Sequence, residues 1–83
     1  MKFTREDYNK RIVDLENRIP ENEPVFLLRG QDKFASLTLK KYCEFLEEEA
    51  KQRGNPDLED MAKELREHAR EMLLWKYSKT PDK

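Results

Sequence analysis

The stretch Glu23-Pro24-Val25-Phe26-Leu27-Leu28-Arg29-Gly30-Gln31-Asp32-Lys33 gathers the residue types best suited to hold a ligand. An apolar segment stops at a glycine and delivers Arg29, Gln31, Asp32 and Lys33 to one place, just ahead of a helix carrying Ser36 and Thr38. Arginine offers a planar fork for phosphate oxygens, and glutamine can read a base edge or a ribose hydroxyl. Gly30 permits either a positive φ or a close approach of a ligand to the backbone. A helix N-terminus adds free amides and partial positive charge, so Lys33, Ser36 and Thr38 could complete an anion seat. A plainer reading uses the same residues: Arg29 pairs with Asp32 or Glu23, Gly30 serves the turn, and Gln31 faces water.

Catalytic chemistry finds less support. Cys43 and His68 form the one nucleophile–base combination, and both fall on apolar helix faces, where a small buried hydrophobe and a seam histidine near a carboxylate are the expected roles. Glu44, Glu47, Glu48 and Glu49 point in successive directions around one helix, which makes a solvated face and not a metal cluster. There is no Gly-rich phosphate loop and no HExxH. One cysteine excludes an internal disulfide and a multi-thiolate metal site. The expectation is a protein that is not an enzyme, with no catalytic residues, no metal and no cofactor.

The elements that must position these residues read as an all-α fold with one short extended segment, in a single domain over residues 1–83. Thr4 has the character of an N-cap with Asp7 three residues on, and Phe3 and Tyr8 stand at the positions of a hydrophobic staple. Tyr8, Ile12, Leu15 and Ile19 then recur at helical spacing until Pro20, predicting a first helix over 5–18. Val25 to Arg29 predicts an extended segment over 24–29, between two prolines and a glycine. It has no second strand to pair with, so it either lies over helices or pairs with the same segment of another subunit; the second arrangement is favoured.

Two longer helices follow, predicted over 36–53 and 57–77. Ser36 or Asp32 caps the former, and its apolar residues Leu39, Tyr42, Cys43, Phe45, Leu46 and Ala50 form a stripe broad enough for two neighbours. Gly54-Asn55-Pro56 makes a tight connector, and Asp57 caps the latter. Leu58, Met61, Leu65, His68, Met72 and Trp75 give it a 3-4-3-4-3 seam with Ala62 and Ala69 beside it. The short connector makes the pair an antiparallel hairpin. Residues 78–83 read as a loose tail.

Composition bounds the partners. Of 83 residues, 36% are apolar and 42% charged, so a lone copy has a thin core and burial against a partner becomes attractive. A homo-oligomer is expected, with Val25, Phe26, Leu28 and Phe45 covered by neighbours. Seventeen basic against eighteen acidic residues argue against a general polyanion binder. Lys63, Arg66 and Arg70 interleave with Glu64, Glu67 and Glu71, as in intrahelical pairs, so nucleic acid is not an expected partner. No apolar run approaches a membrane span or a signal peptide, which predicts a cytoplasmic protein.

Glu23 to Asp32 also resembles a motif of small phage and prophage proteins, Glu-Pro-Val-Phe-aliphatic-aliphatic-Arg-(Gly/Ala)-Gln-Asp, followed by a helical hairpin rich in late aromatics. His68, Met72 and Trp75 echo that tail, and the resemblance spans about two-thirds of the chain. By size and architecture the chain is similar to oligomeric phage proteins that sequester nucleotide immune signals between subunits. The resemblance implies a phage counter-defence protein, acting in the host cytoplasm, that sequesters a cyclic oligonucleotide or an ADP-ribose-type messenger; the ligand residues expected from their own chemistry, Arg29, Gly30, Gln31, Lys33, Ser36 and Thr38, would hold it. The alternative is a helical module that binds and regulates a host protein.

Overall fold

The computed structural model describes residues 1–81 and contains three helices: α1 (Glu6–Arg11), α2 (Ala35–Arg53) and α3 (Pro56–Leu73). The fold is all-α, with no strand or sheet among the described residues. α2 and α3 pack along each other, and the turn between them is local chemistry. Gly54 adopts the left-handed conformation (φ 62°, ψ 43°) and returns its amide to Ala50, a geometry that a side chain would strain. Asn55 then caps α3 by accepting from the Asp57 amide at 3.1 Å, and Pro56 occupies the first helical position, where its missing N–H costs nothing. The cap is therefore Asn55 and not Asp57.

Small residues set the contact between the two long helices. Ser36, Cys43 and Ala50 recur every seven residues on α2, and Ala62 and Ala69 do so on α3; all five are buried. Such a repeat keeps one line of each helix facing the other, and small side chains let the axes approach closely. Leu58, Leu65 and Met72 are half-buried beside the alanines. The seam thus runs Leu58-Ala62-Leu65-Ala69-Met72, while Met61, His68 and Trp75 of the expected seam are exposed. Ranking positions by side-chain size put the stripe one step round the helix from where backbone proximity places it.

Charge ties the same contact together from outside. Arg66 donates to both carboxylate oxygens of Glu47 at 2.7 Å across the hairpin, so its pairing is interhelical where an intrahelical one was expected. Hydrogen bonding from Arg66 holds the Glu47 carboxyl below its ordinary value, against the opposing effect of desolvation. The guanidinium is correspondingly held more firmly protonated.

α1 covers 6–11 and not 5–18. Ile12 and Val13 are β-branched, and the Asp14 carboxylate accepts from the Ile19 amide at 2.6 Å, giving the chain a turn instead of a helix. No element packs on α1 closely enough to reward a longer helix, and Val13 and Leu15 are exposed. Thr4 does not cap. Instead Asn9 accepts from the Phe3 amide and donates to the Phe3 carbonyl, while Phe3 and Tyr8 form the expected staple as an edge-to-face pair 5.9 Å apart.

The segment 24–29 is extended but makes a single isolated bridge, Lys2 with Pro24, in which the Val25 amide donates to the Lys2 carbonyl at 2.7 Å. Part of the pairing sought from a second subunit is thus met by the chain's own N-terminus. α3 stops at Leu73 and not at 77. Trp75 turns back beside Gly30, its Cβ and Cγ 3.6 Å from where a Gly30 side chain would begin. The following residues are held and not loose: the Lys79 amide donates to Gln31 and the Lys79 carbonyl accepts from Lys33. Asp82 and Lys83 of the expected tail lie outside the described residues.

Candidate functional site

The segment around Arg29 forms a wall with a depression on either side. One is a recess of about 370 Å³ between this segment, α1 and Lys79, a volume within the range of small-molecule pockets. Its apolar walls are Phe3, Tyr8, Phe26 and Leu27, and its polar lining includes Arg5, Arg29, Gln31, Asp32 and Lys79. The other, about 410 Å³ and more open, lies between Leu28–Gln31 and the end of α3, where His68, Glu71, Met72 and Trp75 face it. Arg29 and Gln31 line both.

Tyr8 is the pivot of the first recess. Its hydroxyl oxygen accepts from Arg29 Nη1 at 3.2 Å and from Arg5 Nη1 at 3.3 Å. The Arg5 guanidinium also lies 4.4 Å from the centre of the Tyr8 ring. With two hydrogen bonds accepted, the phenol keeps its own proton to donate. Arg5 is neutralised by Asp7, which accepts from its Nε at 3.0 Å and its Nη2 at 2.8 Å. Desolvation pushes the Asp7 carboxyl up, but the hydrogen bond and charge of Arg5 outweigh it and hold the group below its ordinary value. Arg29 is different: among the described residues no carboxylate pairs with it. Neither Asp32 nor Glu23 plays the partner that the plainer reading assigned. Asp32 turns its carboxylate to the Phe34 amide at 2.8 Å.

The remaining expected ligand residues divide. Gly30 lines the open depression against Trp75, and its φ is not positive. Its use here is the close approach of an indole. Lys33 lines neither depression and lies 5.1 Å over the Phe34 ring. Ser36 is buried on the inner side of α2 and lines neither depression. Thr38 donates its hydroxyl to the Phe34 carbonyl one turn back. The cap of α2 is Phe34, without a side-chain hydrogen bond, and so neither Ser36 nor Asp32. With the Asp32 carboxylate already at that helix end, Lys33, Ser36 and Thr38 do not come together as an anion seat.

Phe3, Arg5, Tyr8 and Lys79 are the site residues that sequence reasoning missed. The staple spacing located Phe3 and Tyr8 but gave them only a structural role. Nothing local marks Lys79, because its backbone pairing reaches back more than forty residues.

Elsewhere the candidate chemistry is spoken for. Cys43 is fully buried, and burial pushes its thiol up, which disfavours the nucleophilic thiolate. His68 is exposed on α3 with its Nδ1 3.4 Å from Glu71, so it is a surface residue beside a carboxylate and not a seam residue. The four acids of α2 have four separate partners: Lys41 for Glu44, Arg66 for Glu47, Gln52 for Glu48 and Arg53 for Glu49. Among the described residues no group of three or more His, Cys, Asp or Glu could hold a metal ion. No helix there is long and apolar enough to cross a membrane. Protein-family models, curated proteins and solved structures give no match to this chain.

Proposed function

We propose that this chain is a non-catalytic binding protein that captures a small nucleotide-derived anion, of cyclic oligonucleotide or ADP-ribose type, in the recess between α1 and the Arg29 segment. The observation that carries the reading is Arg29: a guanidinium with no carboxylate partner among the described residues, fixed by Tyr8 at the edge of a recess walled by aromatic rings. Aromatic faces suit a nucleobase, and a guanidinium with an adjacent phenolic O–H suits a phosphate. Gln31, on the same wall, supplies an amide for a base edge or ribose hydroxyl. The resemblance of Glu23–Asp32 to small phage proteins supports a counter-defence role in which the protein sequesters an immune messenger in the host cytoplasm.

The test is a thermal-shift panel of cyclic dinucleotides, cyclic trinucleotides and cyclic ADP-ribose isomers. A true ligand at a hundredfold excess over Kd stabilises the protein by about 2.7 kcal/mol. Arg29→Ala removes that shift and, by cutting the hydrogen bond to Tyr8, lowers the stability of the free protein by no more than about 0.5–1.5 kcal/mol. A flat response across the panel overturns the reading. The alternative, a helical module that regulates a host protein, draws on the exposed apolar side chains of α2; it predicts a flat panel together with stoichiometric recovery of one host protein.

A further inference from the structure

α2 is apolar on two opposite sides. Its inner line of Ser36, Cys43 and Ala50 is buried, with α3, among the described residues, the one helix that packs on α2. Phe34, Leu37, Tyr42 and Phe45, at the start of α2 and along it, are 49%, 58%, 46% and 71% exposed. At about 100° per residue these four centre on the direction opposite the inner line. A helix that is apolar on both sides has its place between two layers, and this chain supplies one.

We propose that the outer face of α2 is covered by the same face of a second copy, in an antiparallel two-fold pair. The spacing is the argument. Phe34, Leu37, Tyr42 and Phe45 are separated by three, five and three residues, a sequence that reads the same in both directions. When two such helices lie antiparallel about a centre between Leu39 and Lys40, Phe34 of each meets Phe45 of the other, while Leu37 and Tyr42, about 140° apart around the helix, flank that contact on opposite sides, each beside its own counterpart. Thr38 then meets Lys41. Both of these polar groups already have partners in their own chain, Phe34 and Glu44. A parallel pair would set Lys41 on Lys41. Self-complementarity of one patch is what a two-fold interface requires.

The exposed area fits a second copy. The chain exposes 7143 Å², about a third more than the ~5,300 Å² expected of a compact monomer of 10.1 kDa. Its radius of gyration is 14.8 Å, against about 12 Å for a compact chain of this length. The surplus is more than the ~800 Å² that each partner contributes to a standard interface. A net charge of −1 sets little repulsion between copies. The pairing neither requires nor is required by ligand capture at Arg29.

Sedimentation velocity on the full chain tests this. The wild type sediments as a dimer, or as a larger even-numbered assembly, at micromolar concentration. Phe45→Glu and Phe34→Lys each raise the dissociation constant of the pair by about tenfold or more, with helical circular dichroism unchanged. Mixing the two variants restores the pair, since the introduced charges face each other at one end while Phe34 meets Phe45 at the other. A monomeric wild type overturns the proposal, as do variants that assemble like the wild type. Variants that dissociate but do not recover on mixing overturn the antiparallel register.

Discussion

Arg29 and Tyr8, twenty-one residues apart, are joined by a hydrogen bond of 3.2 Å from the guanidinium to the phenol oxygen. That bond fixes the extended segment to α1, which makes no helix-to-helix packing contact of its own with α2 or α3. It also sets two guanidinium groups on one phenol, with Asp7 neutralising that of Arg5. The positive charge remaining at Arg29 faces a recess, and the binding proposal rests on that arrangement.

The small residues of the hairpin lead to the first prediction. Ala62 is fully buried in the line where α3 meets α2, so Ala62→Leu forces the helices apart or drives side chains off their rotamers, at about 1–3 kcal/mol. Chemical denaturation should show a lower midpoint. An unchanged midpoint would mean that the helices do not meet at Ala62.

The two glycines should respond differently to alanine. Gly54 has φ +62° with open space around it, so Gly54→Ala pays a backbone strain of about 1–2 kcal/mol. At Gly30 an added Cβ makes ordinary contact with Trp75 at 3.6 Å, and the φ is not left-handed. Gly30→Ala should therefore change stability by no more than about 0.5 kcal/mol. Melting temperatures of the two variants, measured side by side, check the contrast.

How far the residues announced this structure depends on how local the cause is. Gly54-Asn55-Pro56 declares its turn because each residue acts on its own backbone, and the Phe3–Tyr8 staple declares itself for the same reason. The length of α1 was obscured because the stripe Tyr8, Ile12, Leu15, Ile19 is helical in spacing but has no neighbour to bury it. In α3 the large residues drew attention to Met61, His68 and Trp75, whereas Ala62 and Ala69 decide how close the helices come. At the site, Arg29 and Gln31 stand out from their chemistry. Tyr8 and Lys79 reach them only through contacts distant in sequence.

Acid should loosen the hairpin in a defined window. The folded state holds the Glu47 carboxyl below its ordinary value through Arg66, so folded protein binds fewer protons than unfolded chain. The stabilisation is complete above the unfolded value of about 4.3 and is lost as pH falls through the lower folded value. Asp7, held down by Arg5 despite its desolvation, adds a change of the same sign in the N-terminal region. Melting temperature should fall below about pH 4 in the wild type, and Glu47→Gln should make that fall shallower while lowering the melting point at neutral pH. Identical acid profiles for the two proteins would contradict the role of the pair.

The most direct measurement is a titration of the ¹⁵N-labelled protein, followed through the arginine side-chain Nε–H signals, with the cyclic nucleotide that gives the largest thermal shift. Saturable displacement of the Arg29 signal is expected, together with the backbone amides of Tyr8 and Gln31, while the signal of Arg66, tied to Glu47, stays in place. Displacement confined to surface lysines and arginines outside the recess, or an Arg29 signal that does not move at saturation, would contradict it.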